Sequence, residues 1–229
     1  MRLAGWCEIS LTLALVLAAA YPIGAFMVDV FDNRKTFLTP LLSPVERALY
    51  RLAGVDPVVE QKWLEYALSM LIFGGGCLFA LYALLRLQAY LPLNPQGFPG
   101  VPPDLSFNIA ISFITNANWQ AYGGETTLSH LSQMGGLTAN NFLDSAAATA
   151  IAVALTRALV RNESPTIGNF WVDMTRATLY ILLPLSIIVA LAFAALGVPA
   201  DPERVGRGND AGGREASYVD RAGRQSGGD

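Results

Sequence analysis

Four long apolar runs follow one another along the chain, at residues 9–31, 64–85, 141–160 and 178–198, with most charged side chains lying between them. A helix needs about 20 mostly apolar residues to cross about 30 Å of hydrocarbon, so each run predicts a spanning helix. A fifth run, 105–114, is too short to cross. It passes without a polar linker into Thr115, Asn116, Ala117, Asn118, Trp119 and Gln120, and then reaches the pair Gly123 and Gly124. The pattern predicts an all-α polytopic membrane protein in which one short helix and one irregular polar segment sit between two spanning helices.

The first run has Arg2 before it and Ala18, Ala19 and Ala20 within it, as a cleavable signal peptide would. The run continues past Ala20 to Val28 without a polar break, which favours a retained span. The connector at residues 32–63 holds Ser43-Pro44-Val45-Glu46, a capping-box pattern that predicts a short amphipathic surface helix over 44–52. The second span carries Gly74, Gly75 and Gly76, expected to let a neighbouring backbone approach. Trp63 and Tyr66 stand where an interfacial aromatic belt is expected. A proline-rich stretch, 86–103, reads as an ordered surface loop, with Asp104 or Ser106 expected to cap the short helix. Gly135 and Gly136 read as a turn, with no phosphate-loop lysine after them. The third span is rich in alanine and should pack closely against other helices. Asp144 falls near its start, where a first-turn residue favoured by the helix dipole outweighs an intramembrane functional carboxylate. A polar loop, 161–176, leads to the fourth span, with Pro184 as a kink. After Pro199 the apolar pattern stops, and residues 200–229 read as a disordered tail, as expected of a shifted or mispredicted reading frame.

Composition agrees with this pattern: 53% of the 229 residues are hydrophobic and only 14% charged, where a soluble domain carries about a quarter. The net charge of −3 excludes a nucleic-acid partner. Cys7 and Cys77 lie in separate apolar segments and form neither a disulfide framework nor a zinc motif. His130, the one histidine, reads as a surface or packing residue. No paired carboxylates or nucleophile motif supports an enzyme active site. Arg34, Lys35, Arg47, Arg51 and Lys62 cluster in the first connector, and Arg157, Arg161 and Arg176 around the third. The segment between spans two and three carries only Arg86. Positive loops stay in the cytoplasm, so Asn116 and the N-terminus are expected outside.

A short helix that enters the bilayer from outside and turns back through a polar segment has the geometry of a cation filter. Carbonyl oxygens of Thr115, Asn116, Ala117 and Asn118 would replace an ion's water without a fixed charge. Trp119 and Gln120 would wedge the loop, Gly123 and Gly124 would turn the chain outward, and Glu125 would raise the cation concentration at the mouth. The dipole of the short helix would favour a cation at its C-terminus. A surface hairpin between two helices is the alternative, since the Thr-Val-Gly-Tyr-Gly filter of potassium channels is absent.

Four strings carry a more specific signal: TNANWQAYGGETTLSHLSQMGGLTANNF at 115–142, RLQAYLPLNPQ at 86–96, PTIGNFWVDMTRATLYILLPLS at 165–186, and WLEYA from Trp63. Through them residues 1–199 resemble the potassium-translocating A subunit of the bacterial Kdp ATPase. The resemblance implies a potassium-channel-like chain of four helix–filter–helix repeats in the bacterial plasma (inner) membrane. The extra N-terminal helix and connector would be residues 1–62, the first repeat 63–160, and the opening of the second 161–199. It implies filter residues at Asn116, Ala117 and Asn118 with Gln120 behind them. It also implies bound potassium but no nucleotide, an ATP-hydrolysing P-type subunit and a single-span accessory subunit as partners, and no ATPase activity in this chain. The family pattern continues through three further repeats, so a truncated subunit supplying one quadrant of a filter is expected. A non-conducting structural or assembly protein is the competing reading, and a membrane enzyme the weakest.

Overall fold

The computed structural model describes residues 3–161 and 164–196. The expected tail, 200–229, lies outside them. The chain divides into two compact units, residues 1–184 and 185–229. The described part of the second unit, 185–196, is almost wholly the C-terminal portion of a helix.

The four spans are present as helices over Gly5–Phe31, Trp63–Tyr90, Ser132–Val160 and Phe170–Ala195, each long and apolar enough to cross a membrane. The chain is an all-α polytopic membrane protein. Helix α1, Leu3–Phe31, starts earlier than the apolar run and takes in Trp6 and Cys7, and of its described side chains only Val30 and Phe31 at its far end are buried. Among the described residues Cys7 and Cys77 are both free.

Helix α2 spans Thr39–Ala53, five residues longer at its start than the Ser43-Pro44 pattern suggests. Pro40 occupies the first turn, and the Thr36 amide donates to Thr39 Oγ1 at 2.8 Å, so the helix is begun before Ser43 is reached. Ser43 is not its cap, and Glu46 is freed for other partners. Strand β1, Gln61–Lys62, pairs antiparallel with β2, Thr166–Gly168, so the polar loop after the third span is partly ordered. In α3, Trp63–Leu87, Glu65 reaches back to accept from the Lys62 amide at 2.9 Å.

Helix α4, Pro103–Ile114, follows Pro102, and neither Asp104 nor Ser106 caps it. The Pro102-Pro103 pair brings no amide protons to satisfy, and Ser106 Oγ donates instead to the Val101 carbonyl at 3.0 Å. Helix α5, Gly124–Thr127, is one turn. A π-helical segment, Ser132–Thr138, runs straight into α6, Ala139–Val160, so Gly135 and Gly136 are helical rather than a turn. A Cβ on Gly136 would sit 2.6 Å from Leu84 Cδ2, and this glycine is what lets the third span close on α3. The triple glycine of α3 does less: only Gly74 meets a neighbour, at the ordinary distance of 3.7 Å from Ile114 Cγ2.

The N-terminal extension of the third span changes the place of Asp144. It lies about three turns past Ser132, not in a first turn. Its Oδ2 is buried and has no hydrogen-bond partner among the described residues. The fourth span is built from α7, Phe170–Arg176, a π segment, Ala177–Leu182, and α8, Leu183–Ala195. The widened turn falls one turn before Pro184 and absorbs the carbonyl that its ring would otherwise strike.

The alanines of α6 do pack closely. Ala146, Ala147, Ala150 and Ala154 are buried with Phe170, Ala177 and Tyr66. Tyr66 is therefore not a belt residue. It points inward, and its hydroxyl donates to the Ala150 carbonyl at 2.9 Å and to Asp173 at 3.3 Å. Trp63 is exposed, as an interfacial residue would be. A second cluster joins Leu81 and Leu85 of α3 to Ile109, Ala110 and Phe113 of α4, with Leu128 and Leu137.

Candidate functional site

The site is built where α4 ends. The Val101 amide donates to the Leu85 carbonyl at 3.1 Å, pinning the start of α4 to the far end of α3. From there α4 packs back along α3 until Ile114 lies beside Gly74, near the middle of that span. At 1.5 Å per residue a twelve-residue helix covers about 18 Å, roughly half of a bilayer core.

The polar segment then folds onto the helix end. Thr115 closes α4 with its amide donating to Ile111 O at 3.0 Å and its Oγ1 donating to the same carbonyl at 2.8 Å. The Asn116 amide donates to Phe113 O at 3.3 Å. The Ala117 and Asn118 amides both donate to Ser112 O, at 3.0 and 3.2 Å. A trans peptide is planar with its N–H and C=O antiparallel, so each of these bonds fixes the opposite group. The carbonyls of Thr115, Asn116 and Ala117 therefore point away from α4. Among the described residues these three and the Asn118 carbonyl accept no hydrogen bond. The series ends at Trp119, whose carbonyl is turned back to accept from Ser112 Oγ at 3.0 Å.

Backbone conformation explains how this is possible. Asn116 and Asn118 both have left-handed φ, 52° and 50°. Asparagine tolerates this region better than most residues. Their side chains brace each other, Asn118 Nδ2 donating to Asn116 Oδ1 at 3.0 Å. Trp119 is half-exposed and anchors the loop by donating from Nε1 to Asn108 Oδ1 at 3.0 Å. Nothing in the spacing of Asn108 and Trp119 along the chain signals this bond. The glycine pair does not turn the chain by left-handed freedom, since Gly123 has φ −93°. It makes room instead: a Cβ on Gly123 would crowd Thr126 Oγ1 at 2.7 Å. The Gly124 carbonyl accepts from Gln133 at 2.9 Å. Gln120 and Glu125 are exposed beside the loop. His130 is half-buried, and its amide donates to Leu93 O at 3.1 Å.

The principal support residue was not singled out from the sequence. Gln88, fully buried, donates from Nε2 to Pro99 O at 2.7 Å and Thr127 O at 2.9 Å. Its Oε1 accepts from the Ser129 amide at 3.1 Å and Ser132 Oγ at 3.0 Å. One side chain so ties the proline-rich loop to the segment from Thr127 to Ser132. Gln88→Leu leaves those groups buried and unpaired, at about 1–3 kcal/mol for each one not rescued by water. The expected result is faster amide exchange at Ser129 and Ser132 with the helices of the first core intact.

The opposite end of the spans holds the charged groups. Arg157 donates to Asp173 at 2.7 Å and to the Phe31 carbonyl at 3.2 Å. Arg176 donates to Glu46 at 3.0 Å and to Asn33 at 2.8 Å, and Tyr50 and Tyr180 each donate to Glu46 at 2.8 Å. Burial pushes the Glu46 carboxyl up, but the hydrogen bonds from Tyr180, Tyr50 and Arg176 outweigh it and hold its pKa below the ordinary 4.5. A depressed carboxylate adds stability that is whole above 4.5 and is lost as pH falls through the lower folded value. Acidification below pH 4.5 is thus expected to release α2 to proteolysis in the wild type. Glu46→Gln should remove that pH dependence.

A family model described as the potassium-transporting ATPase A subunit, KdpA, matches residues 10–210. The chain belongs to this family. The KdpA match runs past Pro199, where the apolar pattern stops. Relatives carrying the name potassium-transporting ATPase potassium-binding subunit include one from Granulibacter bethesdensis, 56% identical over 199 residues, covering 87% of this chain and 35% of the relative. One from Allorhizobium ampelinum is 57% identical over 195 residues, covering 85% and 34%. One from Caulobacter vibrioides is 53% identical over 195 residues, with the same coverage. The chain spans about a third of the length of the curated relatives it matches.

Proposed function

We propose that this chain provides one quadrant of a potassium-selective filter in an ATP-driven potassium uptake system. The observation that carries the reading is the run of carbonyls from Thr115 to Asn118, unpaired and, at Thr115, Asn116 and Ala117, turned away from α4 by the amides bonded to its last turn. Carbonyl dipoles replace the water of a monovalent cation while leaving it free to depart. The names of the relatives support potassium as that cation. The negative end of the α4 dipole points to the same place, and exposed Glu125 adds attraction.

The chain binds and selects the ion and hydrolyses nothing. Hydrolysis falls to a separate P-type subunit, with a single-span subunit joining the assembly. Residues 63–160 form the first helix–filter–helix repeat, with the loop entering from outside and the N-terminus outside, in the bacterial plasma membrane. One loop presents carbonyls from one side only, so other loops must complete the ring.

The test replaces the matching N-terminal third of a full-length relative with residues 1–199 and asks for growth of an uptake-deficient bacterium at low external potassium. The hybrid is expected to grow and the 229-residue chain alone not to. A hybrid that inserts normally in the membrane yet fails to grow would refute the proposal.

A further inference from the structure

A cavity of about 400 Å³ opens between the end of α1, helix α2 and the π segment of the fourth span, far in sequence from the filter loop. Four cations line it, Arg34, Lys35, Arg47 and Arg176, against one carboxylate, Glu46. Their pairing differs. Arg34 is held by Asp29 and Asp32, at 3.3 and 3.2 Å, and Arg176 by Glu46 at 3.0 Å. Both Glu46 oxygens are occupied by Arg176, Tyr50 and Tyr180. Lys35 has no ion pair or hydrogen bond among the described residues. Among the described residues the Arg47 side chain makes one bond, from Nε to the Ser43 carbonyl at 3.2 Å, and neither terminal nitrogen has a partner. Among the described residues the cavity therefore presents two cations without a counter-charge and no free carboxylate to oppose an anion.

The rest of α2 indicates where that anion comes from. Leu41, Val45, Leu49 and Leu52 recur at helical spacing, and all are exposed, with Phe37 just before them. Thr39, Ser43, Glu46 and Tyr50 on another face line the cavity. A helix with one apolar exposed face and one polar basic face, joined to the end of a spanning helix, lies in the plane of a membrane surface. The arginine and lysine count puts that surface on the cytoplasmic side, where anionic lipids are found.

We propose that the cavity seats the headgroup of an anionic phospholipid, its phosphate between Lys35 and Arg47 and its acyl chains along the Leu41–Val45 face of α2. A soluble phosphate ion shares the headgroup chemistry but has no use for the apolar face. A juxtamembrane cation contributes about fivefold to anionic-lipid affinity, so the pair contributes about twenty-five-fold.

The test uses the purified 229-residue chain in detergent and counts bound lipid by native mass spectrometry. Phosphatidylglycerol is compared with phosphatidylcholine of the same acyl chains. The wild type is expected to prefer phosphatidylglycerol by about twenty-five-fold. K35Q/R47Q should cut that preference to within about threefold, and R51Q, on the same helix but outside the cavity, should keep it. If the double variant loses helicity by circular dichroism, K35Q and R47Q singly decide the matter, each costing about fivefold. Equal binding of the two lipids would overturn the proposal. So would a preference that survives K35Q/R47Q or falls equally in R51Q. Displacement of the lipid by equimolar inorganic phosphate would show a soluble-anion site instead.

Discussion

Replacing Arg157 by methionine is expected to destabilise the packed unit by about 3–5 kcal/mol, because it leaves the Asp173 carboxylate buried without its counter-charge. The side chains are 15% and 2% exposed, and among the described residues the 2.7 Å bond between them is the only ion pair that crosses from α6 to α7. The Tyr66 hydroxyl remains, at 3.3 Å, but a single neutral donor does not replace a cation. The Phe31 carbonyl loses its Arg157 donor too, so the end of α1 is loosened. Gly168, with φ 117°, is the glycine this pair requires, since a Cβ there would collide with the Arg157 guanidinium. Thermal denaturation in micelles, followed by tryptophan fluorescence, measures the loss. Arg157→Met with Asp173→Leu should recover most of it, because a buried pair replaced by packed apolar groups costs little. An Arg157→Met protein that melts with the wild type would show that the pair holds nothing.

Asn118→Val in the full-length hybrid is expected to raise the potassium concentration needed for half-maximal growth at least about tenfold. A left-handed φ costs an ordinary L-residue roughly 1–2 kcal/mol, and more for a β-branched one. The cheapest escape is to flip the peptide that carries the Ala117 carbonyl and the Asn118 amide. That flip breaks the 3.2 Å bond to Ser112 O and turns the Ala117 carbonyl out of the site. Asn118→Gly accepts the same φ without strain and should stay within about threefold of wild type, apart from the lost brace to Asn116. Wild-type potassium dependence in Asn118→Val would remove this loop from the filter. If valine and glycine lose equally, the side-chain amide rather than the backbone is what matters.

These two sites differ in how visible they were along the chain. The loop proposed as a filter announces itself locally, because a ten-residue apolar run ending in a cluster of amides has no place in lipid unless protein encloses it. Even so, the freedom to bend was expected at Gly123 and Gly124, and it resides in Asn116 and Asn118. The Asn-x-Asn spacing was the available signal, since asparagine is the non-glycine residue that most readily takes a left-handed φ. Nothing in the sequence links Gln88 to Pro99, Thr127, Ser129 and Ser132, because those bonds join segments brought together only by the return of α4 along α3.

The spans were legible because hydrophobic length is a property of contiguous residues, and a bilayer reads it directly. Their starts were not. The third span begins before Asn141 and the fourth before Thr178, since helical backbone carries polar residues such as Ser132 and Asp173 inward when a partner waits across the bundle. The same effect moved Asp144 from a first turn to the body of a helix and Tyr66 from a belt to the core. The sequence by itself determined which four segments are long and apolar enough to span and which short apolar run ends in a polar loop, because both follow from local polarity. Only the tertiary structure decided that the carbonyls of that loop are left free, that Arg157 meets Asp173, and that Lys35 and Arg47 line one cavity. Each of those depends on distant segments satisfying, or failing to satisfy, one another's hydrogen bonds and charges.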